Sequence, residues 1–273
     1  MTLQKQPSRL VSYFRHSAEP TQAAALTLPL LCLYGLGVLI VPSARNGVDF
    51  VSSALYVAFS SLGPMRAFAY LAFYGLLIGA NVGLIAYLSS KNQFHIRYFW
   101  PLIAESALYA FATGTATASL TAQLVNAIHA VPALGPVELS AQIAGGFPAQ
   151  FTGTFPALAA SRQLGLVDGI FVSAGAGLHE ELVFRLVGIG AVARVWLGKD
   201  WRKPSLHLLA IVVVSSVLFS AVHHIVEPFV FTVFVFRVIA GLFFAALFLL
   251  RGFAVAAWTH FLYDVWVIVL LGA

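Results

Sequence analysis

Charged residues are scarce in this chain. They make up 9% of its 273 residues, whereas soluble domains contain about a quarter. Hydrophobic residues account for 60%, and the mean hydropathy is +0.90, so the composition excludes an ordinary soluble domain and predicts an integral membrane protein. The one cysteine, Cys32, excludes an internal disulfide framework and is expected to pack as a small apolar residue.

The net charge of +5 is small, and the lysines and arginines are distributed among short loops. This distribution is typical of residues that orient membrane helices and argues against nucleic acid as a partner. We expect the N-terminus, with Lys5, Arg9 and Arg15, in the cytoplasm of a bacterial-type plasma (inner) membrane. The basic loop within 194–203 is then also inside, provided that segment 142–160 does not span.

Seven apolar runs are long enough to cross the hydrocarbon layer, which takes about 20 residues of α-helix. They predict an all-α, multi-pass transmembrane helix bundle of about seven to eight spans that forms one membrane domain. Segment 49–62 is too short to span and segment 142–160 is interrupted by Gly and Pro, so both could lie at the interface or be re-entrant. The seven runs are 23–41, 67–88, 99–122, 169–197, 206–226, 229–250 and 253–271.

Few charged side chains lie deep in these runs, where each one costs about 2.5 to 3.5 kcal/mol on insertion scales. Glu105 and Arg237 are each alone on their helix and have opposite charges, so we expect them to form a structural pair. The remaining polar residues fall on three of the last four helices and are Glu180, Glu181, Arg185, His223, His224, His260 and Asp264, with His179 beside the glutamates.

The segment GLHEELVFR carries four of these residues. Glu181 and Arg185 are four residues apart, a spacing at which a carboxylate and a guanidinium can pair on an α-helix. Glu180 points about 100° away from Glu181 on such a helix, so the two carboxylates can have separate roles. His179 is expected to cap or pack the helix, and substrate contact is the alternative.

The segments LFSAVHHI and WTHFLYDVW supply the other polar groups. Phe219 lies one turn before His223, and His260 and Asp264 share a face on which a carboxylate can orient an imidazole. Buried histidines often serve only to form hydrogen bonds between membrane helices. Packing alone explains neither the second glutamate nor the clustering of polar residues in the last 100 positions, so we predict that Glu180, His223 and His260 face one interior.

These residues form three ordered motifs. EExxxR occurs at Glu180, FxxxH at Phe219 and HxxxD at His260. Together they resemble the CPBP family of intramembrane proteases, which contains CAAX prenyl endopeptidases and bacteriocin-processing and abortive-infection relatives. The resemblance covers roughly 168–271. It divides the chain into N-terminal transmembrane helices without a recognised signature, 1–167, and a catalytic helical core in the last four helices, 168–273.

The resemblance implies an endopeptidase that hydrolyses a peptide bond of a membrane-associated or lipidated protein. Glu180 and His223 would activate a water, with no metal or other cofactor favoured, and His260 would face the developing oxyanion. Glu181, Arg185 and Phe219 would support the site.

Asp264 departs from the family pattern, because many members have asparagine at this position. An amide can donate to an oxyanion, whereas an ionised carboxylate cannot. Either Asp264 is protonated, or it accepts a hydrogen bond from His260 and orders that ring as a donor. We favour the second alternative because the two residues are four apart on one helix.

Other chemistries fit the same residues. Glu180, His223 and His260 form a plausible zinc set of two imidazoles and one carboxylate, although HExxH is absent. Buried Glu, His and Asp also serve as proton relays in transporters. Many transporters contain two similar halves, however, and the two halves of this sequence are not similar to each other. A membrane scaffold without turnover is a further alternative, suggested by Asp264.

Overall fold

The computed structural model describes residues 9–41, 49, 54, 57–129, 166–225 and 228–270. All regular structure in these ranges is helical, and no strand occurs among them, which confirms the predicted all-α class. The predicted segment 142–160 lies outside the described residues, and of segment 49–62 only positions 49, 54 and 57–62 are described.

The helices follow the predicted apolar runs closely. Short 3-10 segments, Ser60–Met65, Ile96–Tyr98 and Gly198–Asp200, precede α4, α5 and α7. The helices are α1 (Arg9–Ser17), α2 (Pro20–Leu26), α3 (Leu28–Ile40), α4 (Arg66–Ser90), α5 (Phe99–His129), α6 (166–197), α7 (Leu206–His223), α8 (Phe231–Arg251) and α9 (253–270).

The predicted span 23–41 is a bent pair of helices, because α2 and α3 meet at 41°. Pro29 lies in the first turn of α3 and lacks the N–H that would continue the helix, while its ring clashes with the carbonyl four residues back. Thr27 occupies the junction, and its hydroxyl donates to the carbonyls of Ala23 at 3.0 Å and Ala24 at 3.1 Å. The bend therefore has a local cause in the sequence.

Three helices in the described ranges are long and apolar enough to cross a membrane, namely α4, α7 and α8, and the α2–α3 pair makes a fourth if it is one span. The helices α5, α6 and α9 also form where spans are predicted. Of these, α6 and α9 are divided into α- and π-helical segments, each shorter than a membrane span. The total of seven to eight spans stays a prediction.

Helix α9 lies at the centre of the bundle and packs against α5, α6 and α8. Its small residues Ala254, Ala256 and Ala257 are fully buried, and they allow neighbouring helices to approach closely. The closest approach is at Gly177 of α6, where an added Cβ would lie 2.6 Å from the Ala257 carbonyl oxygen. This contact brings the polar residues of α6 and α9 together.

Helix α6 changes geometry along its length. It is α-helical over Leu166–Gly175, π-helical over Ala176–Ala191 and α-helical again over Val192–Leu197. In a π-helix each N–H bonds the carbonyl five residues back, and such segments are frequent at functional sites. The prediction of ordinary α-helical geometry for GLHEELVFR is therefore wrong. Helix α9 likewise ends in a π-helical segment, Val265–Leu270.

The predicted pairing of Glu105 with Arg237 is wrong, because Glu105 binds Arg251 instead. The Arg251 guanidinium donates from Nε to Glu105 Oε1 at 2.6 Å and from Nη2 to Oε2 at 2.9 Å. It also donates to Ser17 Oγ at 3.0 Å, and the Tyr13 hydroxyl donates to Glu105. Arg251 is the last residue of α8, which places it beside α5 and the amphipathic α1, whereas Arg237 lies nearly four turns earlier.

Candidate active site

Three helices place polar side chains around the carboxylate of Glu180. His223, at the end of α7, points Nε2 toward Glu180 Oε2 at 3.7 Å. His260, in the middle of α9, points its own Nε2 toward the same oxygen at 3.9 Å. Glu180 and His260 are buried, and His223 retains about a fifth of its side-chain exposure. The structure thus brings these three residues together, at the distances given.

Glu181 bridges two partners on different helices. Its Oε1 accepts a hydrogen bond from Nδ1 of His260 at 2.8 Å, and its Oε2 lies 3.3 Å from Nε of Arg185. The predicted pair with Arg185 is thus present, fully buried and four residues apart. The shorter and better-aligned bond goes to His260, which sequence spacing did not indicate.

Arg185 is held in place by more than its carboxylate. Its Nη2 donates to the Gly241 carbonyl of α8 at 3.3 Å, and its guanidinium lies over the Phe219 ring at 4.4 Å. A guanidinium over an aromatic face gains energy when both are desolvated. Phe219 therefore supports the site through Arg185, as well as through an edge contact with the His223 ring at 5.2 Å.

The hydrogen bonds define which nitrogens carry protons. Nδ1 of His223 lies 2.7 Å from the Phe219 carbonyl, and a carbonyl only accepts, so this nitrogen is the donor. By the same argument Nδ1 of His260 donates to the Glu181 carboxylate. In neutral rings, both Nε2 atoms therefore present lone pairs toward Glu180.

Phe244 on α8 is a site residue that sequence reasoning missed. Its ring stacks on His260 with centroids 4.4 Å apart and planes 15° apart. Together with the Glu181 bond, this stacking fixes the imidazole in plane and in rotation. Phe244 is one of several phenylalanines in an apolar helix, and no local pattern distinguishes it from its neighbours.

The sequence predicts a hydrogen bond from His260 to Asp264, but the structure does not contain it. Oδ2 of Asp264 lies 3.8 Å from His260 Nε2, beyond a direct hydrogen bond. The partner at hydrogen-bond distance is Glu181, on the opposite edge of the ring. Asp264 instead lies on the same side as Glu180, within electrostatic range of Arg237.

Residues 162–266 match the family model for the type II CAAX prenyl endopeptidase Rce1-like proteins. Over this segment the chain is similar to Rce1-like proteins. The segment contains Glu180, His223, His260 and Asp264, and the match agrees with the resemblance to the CPBP family. No curated protein and no solved structure matches the chain.

A second polar cluster is buried beside Glu180 and joins α6 to α3. Nε2 of His179 lies 3.5 Å from Asp49 Oδ1, its Nδ1 lies 3.3 Å from the Gly175 carbonyl, and its ring packs on Tyr34 at 4.5 Å. The Tyr34 hydroxyl donates to Asp49 Oδ2 at 2.7 Å. His179 thus packs its helix against α3, in line with the expectation of a packing residue.

His224 points away from Glu180. Its Nδ1 lies 3.2 Å from the Pro228 carbonyl, and its ring contacts Phe229. The two adjacent histidines therefore differ in position, and only His223 faces Glu180.

Zinc would require both histidine Nε2 atoms and a Glu180 oxygen as ligands. The tautomers fit, since each Nδ1–H is already bonded to a carbonyl or carboxylate, as in many zinc sites. The spacing fits less well, because tetrahedral zinc with bonds of about 2.0 to 2.2 Å holds its ligand atoms closer together than 3.7 and 3.9 Å. Among the described residues, no group of three or more His, Cys, Asp or Glu side chains has the geometry to hold a metal.

Proposed function

We propose that this protein is an intramembrane endopeptidase that uses Glu180 and His223 to activate a water. The observation that supports the proposal best is the position of Glu180 Oε2, which lies 3.7 Å from one histidine Nε2 and 3.9 Å from another. Neither separation allows a direct hydrogen bond, and in this proposal a water beside these three groups is their common partner.

A bridging water fits the acceptors on both sides. Ionised Glu180 and neutral His223 each offer a lone pair, so one water can donate a hydrogen to each of them. The water oxygen then has its own lone pairs directed away from both groups, toward a substrate carbonyl carbon. This arrangement is general-base catalysis with two positioned acceptors.

Hydrolysis follows in two proton transfers. The water oxygen bonds to the carbonyl carbon as Glu180 takes one of its protons, which leaves a tetrahedral oxyanion. Glu180 then returns that proton to the amide nitrogen as the C–N bond breaks, giving a carboxylic acid and an amine. His223 stays within reach throughout and orients the attacking oxygen.

His260 serves the oxyanion in this proposal. Because its Nδ1–H is committed to Glu181, Nε2 can donate to an oxyanion only when the ring is an imidazolium. The neighbouring carboxylates of Glu180, Glu181 and Asp264 favour that charge, and Arg185 and Arg237 limit the excess of negative charge. Positioned donors of this kind are worth several kcal/mol in a water-excluded site.

The substrate is proposed to be a membrane-embedded or lipidated peptide that enters the site from the bilayer. The family description names a CAAX prenyl endopeptidase, so prenylated peptides are the first class to test. We further propose that the protein resides in the plasma (inner) membrane with its N-terminus in the cytoplasm, on the basis of its basic loops.

The experiment compares new peptide termini in membranes of cells that produce wild type or Glu180→Gln. Termini that appear with wild type alone identify substrates, which are then tested in liposomes. Glu19→Gln is the matched control, because Glu19 is partly exposed at the start of α2 and pairs with His16. Cleavage that persists in Glu180→Gln, or the lack of any Glu180-dependent terminus, would contradict the proposal.

Zinc-dependent hydrolysis by the same three residues is the second candidate, because their tautomers fit metal ligation. Purified protein is assayed for bound zinc and for cleavage after treatment with a strong chelator. Activity that survives chelation in protein without stoichiometric zinc supports the metal-free mechanism. Activity that is lost on chelation and restored by zinc supports the metal.

A further inference from the structure

A groove opens on the outer surface of the bundle between α6 and α7. It has a volume of about 450 Å³, within the range of roughly 300 to 1,000 Å³ that small-ligand sites occupy. Its walls are apolar over nearly their whole length and include Val183, Val192, Ala210, Val214 and Leu218. Val214 and Leu218 are more than half exposed, so the groove faces the surroundings of the bundle.

The groove offers no hydrogen bond along its apolar wall. The hydroxyl of Ser215, its one polar group between the two ends, donates to the Phe184 carbonyl at 2.6 Å. An occupant of this part must therefore be a hydrocarbon chain. From His207 to Leu218 the groove follows α7 for about 16 Å at the α-helical rise, which is close to the roughly 15 Å depth of one leaflet's hydrocarbon layer.

The upper end of the groove, at Trp196 and His207, adjoins the loop that joins α6 to α7. This loop, residues 198–205, contains Lys199, Arg202 and Lys203 and a single acid, Asp200. Within the loop, Asp200 pairs with Lys203 at 3.1 Å, and Arg202 lies over the Trp201 ring at 4.9 Å. Two cations thus remain uncompensated where the hydrocarbon groove reaches the interface.

We propose that this groove binds one anionic phospholipid of the bilayer, with an acyl chain between α6 and α7 and its phosphate at the 198–205 loop. The match of groove length to leaflet depth selects a lipid chain, and the uncompensated cations select an anionic headgroup. Basic residues at a membrane surface attract anionic lipids in this way. The lipid site is independent of peptidase activity.

The first test measures retained lipid. Wild-type protein is reconstituted into vesicles of equimolar phosphatidylglycerol and phosphatidylcholine with identical chains, extracted in mild detergent and examined by native mass spectrometry. Phosphatidylglycerol is expected to remain bound in excess over phosphatidylcholine. Ala210→Trp fills the groove and is expected to lose this lipid, whereas Leu209→Trp, on the exposed surface of the same helix outside the groove, is expected to retain it.

The result that overturns the proposal is equal retention of the two lipids by wild type, or retention by Ala210→Trp at the wild-type level. If Ala210→Trp does not fold, the smaller Ala210→Leu takes its place, with unfolding temperature as the check. Farnesyl-cysteine methyl ester is the competing probe. If this probe binds the groove and phosphatidylglycerol does not, the groove receives a lipidated substrate and the proposal is wrong.

The second test measures headgroup preference. Lys199→Gln and Arg202→Gln are each expected to lower the preference for phosphatidylglycerol over phosphatidylcholine on the order of fivefold, the effect of one cation near an anionic surface. Lys91→Gln removes an exposed lysine at the end of α4 and is expected to change nothing. A preference that survives both loop substitutions would overturn the assignment of the headgroup to the loop.

Discussion

Glu181 is expected to act on catalysis through His260, and Glu181→Gln tests this directly. The substitution keeps the shape of the side chain and removes its charge. The amide oxygen can still accept from His260 Nδ1, but the amide nitrogen then faces Nε of Arg185, which lies 3.3 Å from the present oxygen. If the amide is turned by 180°, its nitrogen faces Nδ1 of His260 instead, which is also a donor.

Two magnitudes follow from this geometry. One buried donor without a partner costs about 1 to 3 kcal/mol of folding free energy. Loss of the charge-assisted bond that stabilises an imidazolium costs about 1.5 to 3 kcal/mol in the transition state, which is roughly a 10- to 150-fold fall in kcat. Stability and kcat are thus both expected to fall, for different reasons.

Arg185→Gln separates the two effects. It disrupts the same pair and destabilises the fold to a similar degree, but it leaves the 2.8 Å bond between Glu181 and His260 intact. We therefore expect kcat to fall much less than in Glu181→Gln, with both variants measured on one liposome substrate and by thermal unfolding. Equal losses of kcat in the two variants would refute the role assigned to Glu181.

Three further outcomes are expected. Asp264→Asn should lower kcat on the same substrate less than Glu181→Gln does, because Asp264 adds negative charge near His260 but lies 3.8 Å from its Nε2, beyond a direct hydrogen bond; a loss as large as that of Glu181→Gln would show that its carboxylate is required. Glu105→Gln should destabilise the fold by about 3 to 5 kcal/mol, since it leaves the Arg251 cation without its carboxylate. The double variant with Arg251→Gln should recover part of this stability. If the stability losses of the two single variants simply add in the double variant, the pair does not contribute as proposed. Gly177→Ala should lower the unfolding temperature strongly, because the added Cβ would meet the backbone of α9. Gly79→Ala is the control and should have little effect, because its Cβ would meet nothing within 4 Å. Similar effects of the two substitutions would contradict the close packing of α6 on α9.

The sequence predicted the helices and the residues that meet at the site, because both follow from local rules. Runs of apolar residues must form helices in lipid, where every backbone group needs an internal partner. The three motifs bring Glu180, His223 and His260 to one interior, and they were identifiable from their polarity in an apolar chain. The pair of Glu181 and Arg185 likewise follows from their separation of four residues.

The partners of the charged groups could not be read from the sequence in the same way. The sequence favours Arg237 as the partner of Glu105 because both are single charges in predicted spans, whereas Arg251 lies between the predicted runs 229–250 and 253–271. The choice depends on the depth at which each helix lies beside its neighbours. Arg251, at the end of α8, reaches Glu105 near the start of α5, and that alignment is a property of packing.

The partner that orients the His260 ring also depends on helix packing and not on sequence spacing. An i to i+4 spacing makes Asp264 a natural partner, and on an isolated helix no other carboxylate is near. In the bundle, the close contact of Gly177 with α9 brings Glu181 to within 2.8 Å of Nδ1, and Phe244 of α8 stacks on the ring.

The sequence by itself therefore determined the membrane environment, the helical class and which polar residues lie within apolar helices, since these depend on composition and on neighbours along the chain. Only the tertiary structure decided which carboxylate holds His260, which cation neutralises Glu105 and where α6 adopts π-helical geometry. Those outcomes depend on contacts between residues far apart in sequence, and differences of a few ångströms in helix packing select among partners that are chemically equivalent.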